Sequence, residues 1–179
     1  MSLCASEINL CKSSFEYFCK SYLNVKEDIE FDSYLGRENY ASFLKEYSNS
    51  KISALFISWL CIFHNNNSVG IISKNMNDAK EIMKNIYSSI KTFPKWFVPD
   101  FYKKTQTSFT LINGSKCYST GSHNPECAMR GRAISFLIIN SPMNKNIEII
   151  LTQNIPVLVN TKRNNIPYKQ LIFIGKIFK

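Results

Sequence analysis

The chain has 179 residues, 45% of them hydrophobic and 20% charged, which is the make-up of a folded globular protein and not of a disordered one. Six glycines exclude collagen-like and glycine-linker architectures, and the length suits one domain with a sizeable core. Lys and Arg number 22 against 13 Asp and Glu, a net charge of +9 that points to a polyanionic partner or an anionic surface, although an AT-rich gene would also supply lysines by codon bias.

Taken in chain order, Ile8, Cys11, Phe15, Phe18, Cys19 and Tyr22 share one helical face and predict a helix over 7–23. Residues 24–36 are acidic and end at Gly36, as a loop does. A second helical pattern at 37–48 carries Tyr40, Phe43, Leu44 and Tyr47. After the break Ser48-Asn49-Ser50, residues 52–63 are apolar on nearly every side and read as a buried helix by length. His64 to Asn67 is a turn, and 68–73 (SVGIIS) has the uniform apolar character of a central parallel strand. Asn77 and Asp78 are the expected caps of the next helix, with Glu81 reinforcing the start. Its core face is Ala79, Ile82, Met83, Ile86, Tyr87 and Ile90, and it must stop before Phe93-Pro94.

Residues 94–104 are aromatic and interrupted by two prolines. Residues 108–112 and 116–119 alternate about Asn113-Gly114-Ser115, a strong hairpin signal. A polar loop ends in Arg130-Gly131-Arg132, residues 135–139 (SFLII) read as a buried strand, and 170–174 (QLIFI) as the last one; 146–159 is ambiguous, with Pro156 limiting any helix. Alternating buried strands and helices predict an α/β fold with a mostly parallel sheet flanked by helices. No repeat or linker divides the chain, so residues 1–179 read as a single domain, with an N-terminal helical part at 1–47 and an α/β core at 52–179.

The cysteines at 4, 11, 19, 61, 117 and 127 form no C-x-x-C pair, and reduced thiols are expected. Cys117, His123 and Cys127 together are one ligand short of a closed zinc site. The N-terminus lacks a basic region followed by an apolar one, so it is no secretory signal, and the longest apolar run is too short for a bilayer. A soluble, intracellular protein without membrane contact is expected.

The order of these landmarks resembles the ATPase domain of the large terminase subunit of T4-like tailed phages, the DNA-packaging motor. The motifs that carry the resemblance are Val69-Gly70-Ile71, then Ala79 to Met83, then Phe93-Pro94-Lys95-Trp96-Phe97-Val98-Pro99. Ser108 to Ser115 and Arg130-Gly131 follow in the family's order, as do Tyr17-Phe18-Cys19 before them and Ile155-Pro156-Val157 through Ile174 after them. The resemblance covers most of the chain and implies a fold of the ASCE class of P-loop ATPases.

Phosphoryl transfer in such a domain needs a glycine-rich P-loop with its Lys, an Asp that helps hold Mg²⁺, and a neighbouring acid that activates water. The chain has no G-x-x-x-x-G-K-[ST]. Where the resemblance places the P-loop, between 48 and 53, stands Ser48-Asn49-Ser50-Lys51-Ile52-Ser53, and the preceding strand reads as lost or rearranged. The Walker B acids are replaced by Asn140 and Ser141, and the adenine-side Gln element is not apparent around Arg37-Glu38-Asn39-Tyr40. The chain reaches Lys179 without the family's coupling motif or nuclease domain. Losing one electrostatic element typically costs about 10²–10³ in rate, so no ATPase or nuclease activity, and no cofactor or metal, is expected.

Lys116, Arg130 and Arg132 are candidates for phosphate contact, and Lys162, Arg163, Lys169, Lys176 and Lys179 form a basic tail suited to a nucleic-acid backbone. Lys95, Lys103 and Lys104 interleave with Trp96, Phe97, Phe101 and Tyr102, a pattern that serves either packing or single-strand binding; packing is the expectation. His64 and His123 lack an acid at fitting spacing for catalysis. Three functions remain open. One is an inactive terminase-like protein of a phage or phage satellite that binds large or small terminase, portal or DNA and modulates packaging. The others are a repurposed DNA-binding module and a nucleotide-binding enzyme with a relocated site. A lost strand would leave an open sheet edge, to be covered by a homodimer or by a rearranged 52–63 segment.

Overall fold

The structure is a computed structural model that describes residues 5–23, 50–125, 129, 132, 134–142, 144–147 and, as backbone, 171–174. The expected elements at 24–49 and most of 146–159 lie outside the described residues, as do Cys4 and Cys127.

Two helices replace the single one expected at 7–23: α1 (Ala5–Ser13) and α2 (Phe15–Tyr22). The cause is Ser14. Its backbone is extended, at φ −132° and ψ 113°, and its hydroxyl accepts the Tyr17 N–H at 3.1 Å, so it ends one helix and caps the next. Helix α3 (Ser50–Phe63) is the buried helix expected from its apolar run, enclosed along the whole of 52–63. The Trp59 indole N–H donates to the Cys11 carbonyl at 2.8 Å, tying α1 to α3. Phe15 and Phe56 pack edge to face against the same centre.

Strand β1 (Ser68–Ser73) leads through a short turn into α4 (Met76–Thr92), which ends at Phe93 as proline 94 requires. The cap is Asn75, two residues before the expected Asn77; its side chain accepts the Asp78 N–H at 2.9 Å. Strand β2 (Phe101–Lys104) was not legible in the proline-broken segment. Strands β3 (Ser108–Leu111) and β4 (Lys116–Gly121) form the expected hairpin, and β5 (Phe136–Asn140) and β6 (Leu171–Ile174) the two late strands. Gly114 turns the hairpin at φ +82°, and a side chain there would collide with Asn66.

The sheet runs β2-β3-β4-β1-β5-β6. It is mixed, which corrects the expectation of a mostly parallel sheet. β4, β1, β5 and β6 pair in parallel, whereas β2-β3 and β3-β4 are antiparallel. Tight local turns can only join antiparallel neighbours, so the hairpin at Gly114 and the return at Thr105 commit one end of the sheet to that arrangement.

α2, α3 and α4 cover one face through a large apolar cluster that includes Phe18, Trp59, Ile71, Met83, Phe109 and Cys117. The other face of β1 and β5 carries a smaller cluster of Ile72, Met129, Ile134, Leu137, Ile139 and Ile147, with Tyr118 at its margin. No described helix is long and apolar enough to cross a membrane.

Candidate nucleic-acid interface

Period-two geometry sorts the hairpin residues onto two faces. In β3, Phe109 and Leu111 are buried under the helices, and Ser108 and Thr110 turn to the outer face. In β4, Cys117 and Ser119 are buried, while Lys116 is exposed and Tyr118 half-buried. The register then aligns Lys103, Thr110 and Lys116 in one row across β2, β3 and β4, and places Ser108 beside Tyr118 in the row below.

A register shift between Phe101 and Lys103 makes Tyr102 the extra residue of a bulge. Phe101 packs on Phe109 at 5.7 Å between ring centroids, and Lys104 Nζ lies 4.3 Å from the Tyr87 ring centre, so both face α4. Tyr102, 80% exposed, and Lys103 remain outside. Arg132 completes the surface: its guanidinium carbon stands 3.8 Å over the Tyr118 ring.

The expected basic residues thus divide. Arg132 stacks on Tyr118 and Lys116 stands two residues before that tyrosine on the same face of β4, whereas Arg130, Lys162, Arg163, Lys169, Lys176 and Lys179 lie outside the described residues. The basic-aromatic segment also divides: Phe97 packs on Phe18 and Phe63, as expected for packing, but Trp96 is 71% exposed and Tyr102 more so. Sequence reasoning missed Tyr102, Lys103, Thr110 and Tyr118 as members of one surface. The polar alternation of 108, 110, 116 and 118 was the available signal. No strand of the sheet contains Asp or Glu.

α4 anchors this surface from behind. The Tyr87 hydroxyl sits 2.7 Å and 2.8 Å from the carbonyls of Thr105 and Ser108, and burial pushes its pKa up to about 12. Such a pinned hairpin presents its outer face on a rigid frame.

A second region is the carboxyl end of the parallel strands, where open α/β sheets bind ligands. Ser73, Gly121 and Asn140 stand at one level, since Ser73 pairs with both of the others. Gly121 lies against the start of α4, where a side chain would stand 2.9 Å from the backbone of Asn75 and Met76. Around it, the Ser122 hydroxyl donates to the Lys74 carbonyl at 2.9 Å, and the Asn144 amide donates to the Ser122 carbonyl at 3.3 Å. Ser141 follows Asn140, its hydroxyl on the Pro142 carbonyl at 3.2 Å. The side chains named here are serine and asparagine, which bring no charge to a bound cation. No group of three His, Cys, Asp or Glu among the described residues is placed to hold a metal ion.

No family model matches the sequence, and no curated protein does. Solved structures do match. A mutant of the large terminase ATPase domain of Thermus phage P74-26 aligns over 91% of this chain and 69% of its own, with a TM-score of 0.59 at 10% identity. The chain has the fold of a phage terminase ATPase domain. A second structure of that Thermus phage domain aligns over 78% of this chain and 55% of its own, at 11% identity and a TM-score of 0.49. The fold shared with the first of these structures agrees with the resemblance carried by the landmarks from Val69 to Ser115, whereas Arg130-Gly131 and Ile155-Pro156-Val157 lie outside the described residues.

Proposed function

We propose that this protein is a terminase-like protein of a phage or phage satellite that has given up ATP hydrolysis and acts by binding. Its targets are components of the packaging machinery, DNA, or both, and its effect is to modulate or inhibit packaging. The observation that carries the reading is a terminase-type fold in which β5 ends at Asn140 and Ser141 follows, neither supplying the carboxylate that phosphoryl transfer requires. On this reading the fold serves as a docking shape and not as an engine. The test is affinity capture of the tagged protein from infected cells. Recovery of large terminase, small terminase or portal supports the reading, and recovery of neither these nor DNA overturns it. Titration calorimetry of the pure protein with ATP and Mg²⁺ is expected to show no binding, and a micromolar signal would revive a nucleotide-binding enzyme.

A repurposed DNA-binding module is the second reading, favoured by the basic outer face of β2-β3-β4, whose described strand residues include no Asp or Glu. Salt-dependent binding with a clear site preference, and no protein partner, would select it.

A further inference from the structure

We propose that the outer face of β2-β3-β4 binds single-stranded nucleic acid, with Tyr102 stacking on a base and Lys103, Lys116 and Arg132 holding the backbone. The proposal rests on the nucleic-acid arm of the function proposed above and names the kind of nucleic acid.

Three observations lead there. The first is charge. Lys103 and Lys116 share a row two strands apart, about 10 Å at ordinary strand spacing, with Thr110 between them. Two ammonium groups and a hydroxyl donor in line suit successive phosphates of an extended chain, and no acidic residue in the strands opposes them.

The second is the rings. Tyr102 is 80% exposed because the bulge turns it out of the hairpin, and nothing in the core accounts for its ring there. Tyr118 lies one row along the same face with Arg132 stacked on it at 3.8 Å. A guanidinium held on one side by a ring leaves its other side for a base or a phosphate.

The third is shape. The row of Tyr102, Lys103, Thr110 and Lys116 is strand surface, and the helical residues Met129 and Ile147 pack farther along the same face, in the cluster that Tyr118 borders. Bases in a duplex are hidden in their stack, whereas an unpaired strand can lay them on aromatic side chains. Edge pairing with a peptide fits less well: β2 is four residues long, bulged and carries two lysines, the devices that keep sheet edges from pairing.

The experiment is fluorescence anisotropy of the full chain with a labelled oligothymidylate and with a duplex of equal length, across a salt series. Tighter binding of the single strand is expected. Tyr102→Ala should weaken it by about 5- to 150-fold, the range for loss of one base-stacking ring. Lys103→Ala with Lys116→Ala should make the salt slope shallower by about 1.4, two phosphate contacts' worth. Lys80→Ala with Lys84→Ala, the same charge change on the exposed side of α4, should leave that slope nearer the wild type. All the substituted side chains are exposed, and circular dichroism melts of each variant check the fold.

No binding, equal or tighter binding of duplex, indifference to Tyr102→Ala, or equal effects of the two lysine pairs would overturn the proposal. The two readings fail separately. Capture of packaging proteins that the face variants leave intact, with no single-strand binding, sinks the interface alone. Single-strand binding with no packaging protein captured leaves the interface standing and removes the packaging-protein arm alone.

Discussion

Gly121→Ala is the most direct probe of how the strand ends meet α4. A Cβ at Gly121 would lie 2.9 Å from Asn75 C, 2.9 Å from Met76 N and 3.2 Å from Asn75 Cα. All three are backbone atoms at the helix start, so relief requires β4 and α4 to part by about half an ångström, against a density typical of packed interiors. Overpacking of this kind costs about 1–3 kcal/mol, offset by about 0.4–1 kcal/mol from the stiffer unfolded chain. A net loss of about 1–2 kcal/mol lowers Tm by about 2–8 °C for a domain of this size. Gly70→Ala is the internal comparison. Its Cβ would meet the side-chain tips of Ile134, Met129 and Leu137 at 2.9, 3.1 and 3.2 Å, which can swing aside, so a smaller loss is expected. Thermal unfolding followed by circular dichroism decides the matter. If Gly121→Ala melts at or above the wild type, or if Gly70→Ala is the costlier change, the account of a rigid helix–strand contact is wrong.

Four further outcomes are expected. Burial pushes the thiols of Cys19 and Cys61 up to about 12 and, with Glu7 contributing, that of Cys11 to about 11, from an ordinary 9.0; Cys117 rises as well. Folding therefore favours the neutral thiols, a contribution fully present below pH 9 and lost as pH rises through 11–12, so the urea midpoint should fall steeply in that alkaline range. Peptide mapping after iodoacetamide should find Cys61 and Cys117 unmodified in the native protein, and rapid labelling of either would contradict their burial. Trp59→Phe removes the hydrogen bond to the Cys11 carbonyl and should cost about 1–3 kcal/mol in urea unfolding, while the remaining Trp96, 71% exposed, gives red-shifted fluorescence. Asn75→Ala deletes the α4 cap and should cost about 1 kcal/mol by the same assay, with Asn75→Asp retaining most of the stability.

Much of the fold was legible because its elements are strongly patterned. The 3.6-residue spacing from Ala79 to Ile90, the apolar run that forms α3, and the glycine turn at 114 each determine one local structure with little competition. Ser14 was missed because its neighbours keep a continuous helical stripe, while the hydroxyl's bond to the Tyr17 N–H is a local detail that a stripe does not register. β2 was missed because Pro94 and Pro99 argue against regular structure, yet the backbone bond from Ile112 N–H to the Asp100 carbonyl at 2.9 Å starts a strand just past the second proline. For the candidate interface, net charge pointed to a polyanion and Lys116 and Arg132 were recognisable, but the stacking of Arg132 on Tyr118 depends on a chain reversal. Neither residue's sequence neighbourhood encodes that.

The order in which the sheet assembles follows from its two halves. The β3-β4 hairpin closes across a few residues, within microseconds for an ordinary hairpin, whereas β1 must find β5 across the distance from Val69 to Phe136. The slow step of folding is then capture of the central parallel strands, and the hairpin bearing Tyr118 is already formed when it happens. A nascent chain that stops short of β5 would expose β1, an apolar strand lacking one of its neighbours, to other chains, so in the cell the interval between synthesis of β4 and β5 is a window of aggregation risk.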